Sequence, residues 1–324
     1  MKTRIAVAIA AGLAALMTAP TAAQAAPHHE HDGIRYASIK GCTAKGGEQR
    51  PCGKWRLMTH GGERGSLPDA ETIAREANGK SSVTQVAPIA VSGDGQRVAY
   101  FTKSGRLAVR TMGGGVKIFA KDALPRVAQY NMTLNLSDDG GRLAAVFNTD
   151  KAVKTRIFDT ATGALLGTTP GSQTMLGFSA DGGELLTDVA GDEGVTDLIA
   201  YSESGEQLLR ATPPQIVSAN SPQALAGDGR TTANVILGAK PQLILYDLQA
   251  DEVTARRNLK LPAGDLLMID WTGEQQVTLH LVQYPEGKAN KMTIVQIDTA
   301  TGAVKVRDHY SLLKDSYVFA ACGG

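Results

Sequence analysis

His28-His29-Glu30-His31-Asp32 is the densest run of metal-ligating side chains in the sequence. Imidazole and carboxylate donors of this kind suit Zn, Cu or Ni. The run directly follows a leader-like segment, and that position governs its chemistry. Cleavage after Ala25 leaves Ala26-Pro27-His28 at the amino terminus, where Pro27 lacks the amide needed for an amino-terminal Cu or Ni chelate. Cleavage after Ala26 leaves Pro27-His28-His29, which could form one. We expect residues 26–31 to be a mobile, solvated tail, with His28, His29 and His31 as weak metal candidates. No cofactor is expected elsewhere.

A second constellation, Asp192-Glu193-Gly194 with Asp197, offers carboxylate oxygens to Ca but lacks the alternating ligands of a calcium loop. A plain hairpin tip is the simpler reading. His60, His280 and His309 have no Cys or carboxylate partner at a suggestive spacing, so they read as surface or satisfied histidines rather than as bases. No Gly-x-Ser-x-Gly elbow, His-Glu-x-x-His helix, phosphate loop or paired CxxC is present. Hydrolase, zincin and nucleotide readings therefore lack their usual support, although a site assembled from scattered loops escapes such spacing rules. Asn131-Met132-Thr133 matches a glycosylation acceptor, a pattern short enough to arise by chance.

The elements that must position these groups declare themselves by repetition. Asp94-Gly95, Asp139-Gly140, Asp181-Gly182 and Asp228-Gly229 recur at steps of 45, 42 and 47 residues, the span of one four-stranded propeller blade. Each pair stands between apolar segments with strand character, such as Ile89-Ala90-Val91 and Val98-Ala99-Tyr100-Phe101. Tight hairpin turns demand positive φ, which Gly accepts and Asp tolerates. Third strands are expected at residues 107–110, 156–158, 198–201, 242–246 and 293–297, and fourth strands at 116–120, 164–167 and 303–307. The turn Asp159-Thr160-Ala161-Thr162-Gly163 recurs unchanged as Asp298-Thr299-Ala300-Thr301-Gly302. A fifth unit lacks Asp-Gly but keeps the frame through Ile269-Asp270-Trp271 and Thr272-Gly273. A sixth is split between the ends: Asp32-Gly33 leads into three N-terminal strands, and Tyr317-Val318-Phe319-Ala320-Ala321 supplies the missing innermost one. The expected fold is all-β: a six-bladed β-propeller of four-stranded antiparallel blades, closed by a C-terminal strand joining three N-terminal strands. Closure pairs edges that an open sheet would expose. A β-sandwich with regular hairpins would mimic the same period.

The Ser-x-Asp-Gly turns that begin at Ser92, Ser137 and Ser179, with their spacing, resemble those of WD-repeat-like and TolB-like β-propellers over residues 32–322. The Gly-His and Trp-Asp dipeptides of strict WD repeats are absent, so docking rules from that family do not carry over. The Ala- and Gly-rich style is similar to that of uncharacterised secreted propellers of actinobacteria. That resemblance implies an extracellular protein of unassigned role.

Residues 1–25 combine Lys2 and Arg4, an apolar run over 5–17, and Ala23-Gln24-Ala25. They read as a secretory signal peptide, followed by one propeller domain over 32–324. The apolar run is shorter than the ~18 residues that suggest a membrane span, so no span is expected. The formal charge is +1, and loss of Lys2 and Arg4 leaves −1. Near-neutrality without a basic block argues against nucleic acid as a partner. Three cysteines in an exported chain invite a disulfide. Cys42 ends one N-terminal strand and Cys52 precedes the next, so antiparallel pairing sets them side by side. Closing so short a loop contributes roughly 2 to 3 kcal/mol on the chain-entropy model. Cys322 lies at the opposite end of its strand, about seven or eight residues from Cys42 at roughly 3.3 Å each, and is expected to be a partly buried free thiol.

Loops joining second to third strands share one rim with the connections between blades. That rim gathers long polar tips opposite the compact Asp-Gly turns, and the connection over 69–77 has some helical character. Weak ligand-binding candidates there are Lys151, Lys154, Asp192, Glu193, Asp197, Lys240, Glu286 and Lys288. The expectation is a secreted monomer without chemistry of its own that binds a protein, peptide or glycan outside the cell. The alternative is a propeller enzyme, a lactonase, lyase or glycan hydrolase with a central-channel site. First strands over 88–91, 133–136, 176–178 and 224–226 are almost free of ionisable groups. They predict an apolar or Gly-lined bore, whereas an enzyme should converge three or more ionisable groups there.

Overall fold

The computed structural model describes residues 33–191 and 194–323. Six four-stranded antiparallel sheets form the blades of a β-propeller. From the axis outward, blade 1 is Ser316–Ala321, Ile34–Thr43, Gln49–Thr59 and Arg64–Leu67. Blade 2 follows with Ile89–Val91, Arg97–Phe101, Leu107–Thr111 and Val116–Ile118. Blade 3 is Met132–Leu136, Arg142–Phe147, Thr155–Asp159 and Leu165–Thr169. Blade 4 is Thr174–Phe178, Glu184–Ala190, Thr196–Ser202 and Gln207–Ala211. Blade 5 is Gln223–Leu225, Thr231–Ile236, Gln242–Asp247 and Glu252–Asn258. Blade 6 is Asp265–Gly273, Gln276–Gln283, Lys291–Asp298 and Val304–Ser311.

Position in the blade explains residue type. Second strands such as Arg97–Phe101 are packed on both faces: Val98 and Tyr100 join a core shared with blade 1, while Ala99 and Phe101 join one shared with blade 3. A strand covered on both sides reads as a continuous apolar run rather than an alternating one. The outermost strand Val304–Ser311 is largely solvent-facing and reads as mixed polar. One apolar cluster fills each gap between neighbouring blades.

The ring closes as the sequence predicts. Ser316–Ala321 pairs antiparallel with Ile34–Thr43, setting Ala37 opposite Ala320 and Ile39 opposite Val318. Cys42 and Cys52 are disulfide-bonded, with Cα atoms 5.9 Å apart. Their strands run further than expected, into a tight Ala44-to-Glu48 turn. Cys42 therefore faces Arg50 and Cys52 faces Lys40, and the bridge runs diagonally.

The repeated dipeptides are structural. Ser92 Oγ donates to Asp94 Oδ1 at 2.5 Å, Gln96 N donates to the same oxygen at 2.8 Å, and Arg97 N donates to Ser92 Oγ at 2.9 Å. Ser137 with Asp139, and Ser179 with Asp181, repeat the arrangement. Each Asp159-type turn is tied the same way, with Asp159 Oδ1 and Asp298 Oδ1 both accepting from the Thr three residues on at 2.7 Å.

The connection from blade 1 to blade 2 differs from expectation. In place of a helical stretch it forms a hairpin of Ile73–Arg75 with Ser81–Val86. Asn78-Gly79 supplies the turn, with Gly79 at φ +82° and Asn78 Oδ1 accepting from Lys80 N at 2.9 Å. That is a strong hairpin signal overriding a mild helical preference. The connection before blade 5 holds the short helix Gln215–Ser218.

Gly95 shows what the Asp-Gly turns contribute beyond reversal. Its φ is +67°, and a Cβ there would lie 2.5 Å from Ile34 O and 2.8 Å from Ile34 N. Ile34 N donates to Gly95 O at 2.8 Å, tying the turn of blade 2 to blade 1. We predict that Gly95→Ala lowers unfolding free energy by about 2–4 kcal/mol through strain and clash. Gly115→Ala, with ordinary φ and nothing within 4 Å of its Cβ, should change it by under about 1 kcal/mol. Urea unfolding of the two variants against wild type measures both.

Candidate functional site

The innermost strands of blades 1, 2, 3, 4 and 6, with Pro222 just ahead of blade 5, line a bore cavity of about 510 Å³. Its wall is about evenly apolar and polar, with Ile89, Leu134, Leu136, Phe178, Ile269 and Phe319 beside Thr133, Asn135 and Ser179 among the lining residues. At the rim that carries the blade-to-blade connections, a second cavity of about 560 Å³ forms a groove. Groove and bore share Ile89, Thr133, Leu134, Phe319 and Ala320 as wall residues, so the two cavities adjoin. Tyr130, Tyr317 and Val318 line the groove and remain 39%, 41% and 38% exposed. Thr84, Gln85 and Val86 of the inserted hairpin form another of its walls.

No family model matches the chain, and no curated protein matches it by sequence. Solved structures match by shape. TolB from Acinetobacter baumannii aligns at TM-score 0.50 and 13% identity, over 90% of this chain and 67% of that one. The β-propeller domain of the Trilobed protease from Pyrococcus furiosus aligns at TM-score 0.49 and 12% identity, over 87% and 93%. Kuenenia stuttgartiensis hydrazine synthase gives TM-score 0.41 and 15% identity, over 68% of this chain, which spans 65% of that one. The fold is that of a TolB-like β-propeller.

The bore of this TolB-like propeller is not wholly apolar. Asp138, in the Ser137-to-Gly140 turn of blade 3, and Asp270, on the innermost strand of blade 6, both line it. Among its lining residues these two are ionisable, short of the three or more that an enzyme was expected to converge. Burial pushes the Asp270 carboxyl well above the usual carboxylate range; the nearby Asp138 charge adds to the shift and Arg307 opposes it. Asp270 Oδ2 is buried with no hydrogen-bond partner among the described residues.

Behind Asp270 stands His280, fully buried on the second strand of blade 6. Its Nε2 lies 3.1 Å from Gly323 O. A carbonyl oxygen only accepts, so Nε2 carries the proton and Nδ1 is an acceptor, one without a partner among the described residues. Burial and the Arg307 charge push this imidazole down to about 3. Cys322 is 2% exposed, more deeply buried than expected. Its Sγ lies 3.7 Å from His60 Nε2, and His60 Nδ1 lies 3.9 Å from Asp308 Oδ2. The row has the order of a nucleophile, base and orienting acid, but burial pushes the thiol up to about 12, the opposite of an activated cysteine.

The rim residues singled out by sequence lie elsewhere. Lys151, Lys154, Lys240, Glu286 and Lys288 are exposed on loops between second and third strands of blades 3, 5 and 6, and none lines groove or bore. Asp197 is buried in blade 4, where its carboxylate accepts from Thr212 Oγ1 at 2.7 Å and Arg210 Nε at 2.8 Å. Those two bonds hold it below the usual carboxylate range. His309 is bonded to Thr293 Oγ1 at 2.9 Å. Asp192, Glu193, His28, His29, His31 and the leader over 1–25 lie outside the described residues. Among the described residues, no group of three His, Cys, Asp or Glu is placed to hold a metal, and no helix is long and apolar enough to cross a membrane.

His280 makes the fold acid-sensitive. As a base whose folded pKa of about 3 lies below the ordinary 6.5, it takes up its proton only in the unfolded chain across that window. Its stabilising contribution is complete above the ordinary value and is lost as pH falls towards the folded one. Asp270 works in the opposite sense, costing stability as pH rises through its raised pKa. We predict that His280→Gln loses about 1.4 kcal/mol less stability per pH unit than wild type between about pH 6 and pH 4, read by urea unfolding. In the native protein Cys322 should resist iodoacetamide at about pH 8 and react fully once unfolded, as mass spectrometry would show.

Proposed function

We propose that this chain is an exported, non-catalytic propeller that binds a protein, peptide or glycan ligand outside the cell, at the groove and the bore mouth behind it. The observation that carries this reading is the set of exposed Tyr130, Tyr317 and Val318 side chains around a groove that shares wall residues with the bore. Tyrosines with one apolar face and a polar tip are favoured at recognition surfaces, where they contribute large contact area at small entropic cost. The leader-like residues 1–25 support export, and the disulfide suits an oxidising compartment.

The bore carboxyls favour a second reading, in which a raised Asp270 acts as acid beside an ionised Asp138. Environments that push two carboxyls apart are a mark of acid–base sites. The two readings separate in one experiment. The purified chain is screened on peptide and glycan arrays, and its ligands are compared with those of Tyr130→Ala and Tyr317→Ala. Binding that weakens at least about tenfold in either variant, a drop typical of losing an interface anchor, supports the binding reading; ligands indifferent to both remove it. Turnover of an ester, lactone or glycan that Asp270→Asn abolishes would establish the enzyme instead.

A further inference from the structure

The bore combines features that no apolar channel requires. Its lining residues carry two carboxyls and no Lys or Arg. Asp138, in the turn after the innermost strand of blade 3, and Asp270, on the innermost strand of blade 6, both line the bore, and the Asp138 charge reaches Asp270. Asp270 Oδ2 is buried without a hydrogen-bond partner among the described residues, and an unpaired buried carboxyl leaves a demand for a proton or a cationic donor. Of the other groups that face Asp270, Arg307 offsets part of the negative potential, His280 is held neutral, and Cys322 and Gly323 belong to the closing strand.

The walls restrict which cation fits. Ile89, Leu134, Leu136, Phe178, Ile269 and Phe319 present hydrocarbon along the bore, which suits a cation on an aliphatic stem better than a bare ion. A hard divalent metal calls for six or more oxygen ligands, whereas a primary ammonium has three N–H donors and a stem that lies along apolar surface. A guanidinium is planar and bidentate, and best matched by a carboxylate presented edge-on.

We propose that the bore is a binding site for a primary alkylammonium group, with Asp138 and Asp270 accepting its N–H donors and the innermost strands of blades 1, 2, 3, 4 and 6 holding its aliphatic stem. The group is a lysine side chain of a partner seated on the rim or the end of a free diamine. This rests on the reading of groove and bore as a binding surface. Because the ammonium takes the place of the proton on Asp270, binding tightens as pH rises.

Calorimetric titration of the purified full chain with cadaverine, acetyl-Gly-Lys-Gly amide, 1-pentanol and calcium chloride, at about pH 6 and pH 8, tests it. The expected result is cadaverine binding that strengthens several-fold at the higher pH and weakens at least tenfold in both Asp270→Asn and Asp138→Asn. Equal binding of the lysine peptide assigns the source to a protein partner, and binding of cadaverine alone assigns it to a free amine. Pentanol binding as tightly as cadaverine, calcium binding that the two Asn variants abolish while cadaverine has no effect, or no ammonium binding to wild type each overturns the proposal. Thermal melting shows whether the variants fold, and Asp138→Asn stands as a second test if Asp270→Asn does not. Tyr317→Ala separates the two readings, since it should weaken rim ligands yet leave cadaverine bound; loss of rim ligands with no cadaverine site in any variant leaves the binding reading standing without this one.

Discussion

The pairing of Ser316–Ala321 with Ile34–Thr43 is the constraint on which the rest of the molecule depends. Without it blade 1 would keep three strands, with the inner edge of Ile34–Thr43 unpaired. The same strand does three further things. It carries Tyr317 and Val318 to the groove, Phe319 and Ala320 to the bore wall, and Cys322 and Gly323 to the floor beside His280 and Asp270. Closure and site are therefore built from the same residues, and a loss of pairing would dismantle both. Side-chain ties reinforce the junction, as Arg56 Nη1 donates to Asp315 Oδ1 at 2.7 Å just before the strand begins. That pair is half-exposed, so it adds little energy by itself; the backbone ladder and the apolar packing of Tyr36, Met292 and Ile294 beneath it carry the seam.

The closing seam is also the polar one. Of the buried side-chain polar atoms without a partner among the described residues, Ser38 Oγ, Arg56 Nε, Asp270 Oδ2, His280 Nδ1 and Tyr310 Oη belong to blades 1 and 6. Gaps between other blades are filled mostly by Leu, Ile, Val, Ala and Phe, with Trp55, Tyr100, Tyr246 and Trp271 among them. Polar groups in a low-dielectric interior cost stability unless matched, so a seam rich in them is a poor choice for strength alone. Tyr36 stacks on Tyr310 with centroids 5.6 Å apart, and Arg35 lies over the Tyr310 ring at 4.9 Å. These contacts recover part of the loss and fix the orientation of the two blades. The polar groups nearest the axis are those that reach the bore.

The sequence made the frame legible because blade turns are local chemistry. Ser92, Asp94 and Gly95 bond within six residues, and the same three residue types in the same order make the same turn at Ser137 and Ser179. Period and turn together therefore revealed blade number, strand order and the split first blade. Asn78-Gly79 was equally local and was missed only because the apolar pattern around it is short. The site was legible only in outline. Charged loop tips such as Lys151 and Glu286 are conspicuous in sequence because they are solvated, and solvation is why they meet nothing. Asp138, Asp270, His280 and Gly323 meet through closure of a ring, across separations that no spacing rule spans. Asp270 lay in plain view between Ile269 and Trp271, on a strand recognised as such; what identified it was the direction of its side chain towards the axis.

Binding and catalysis make different demands on a buried acid. A general acid must surrender its proton to a leaving group, which requires an oxygen open to the substrate and a pKa tuned near the working pH. Burial and Asp138 push the Asp270 carboxyl in the same direction, towards the neutral form, so it holds its proton rather than surrendering it. A nucleophile or water-activating base should stand opposite, yet the imidazole nearest the bore is neutral, bonded to the closing strand and behind the wall. The thiol nearby is also suppressed. A carboxyl held towards its neutral form by burial and by Asp138 is drawn towards its charged form by whatever brings positive charge to it. Such a preference is expressed on binding and needs no bond to break.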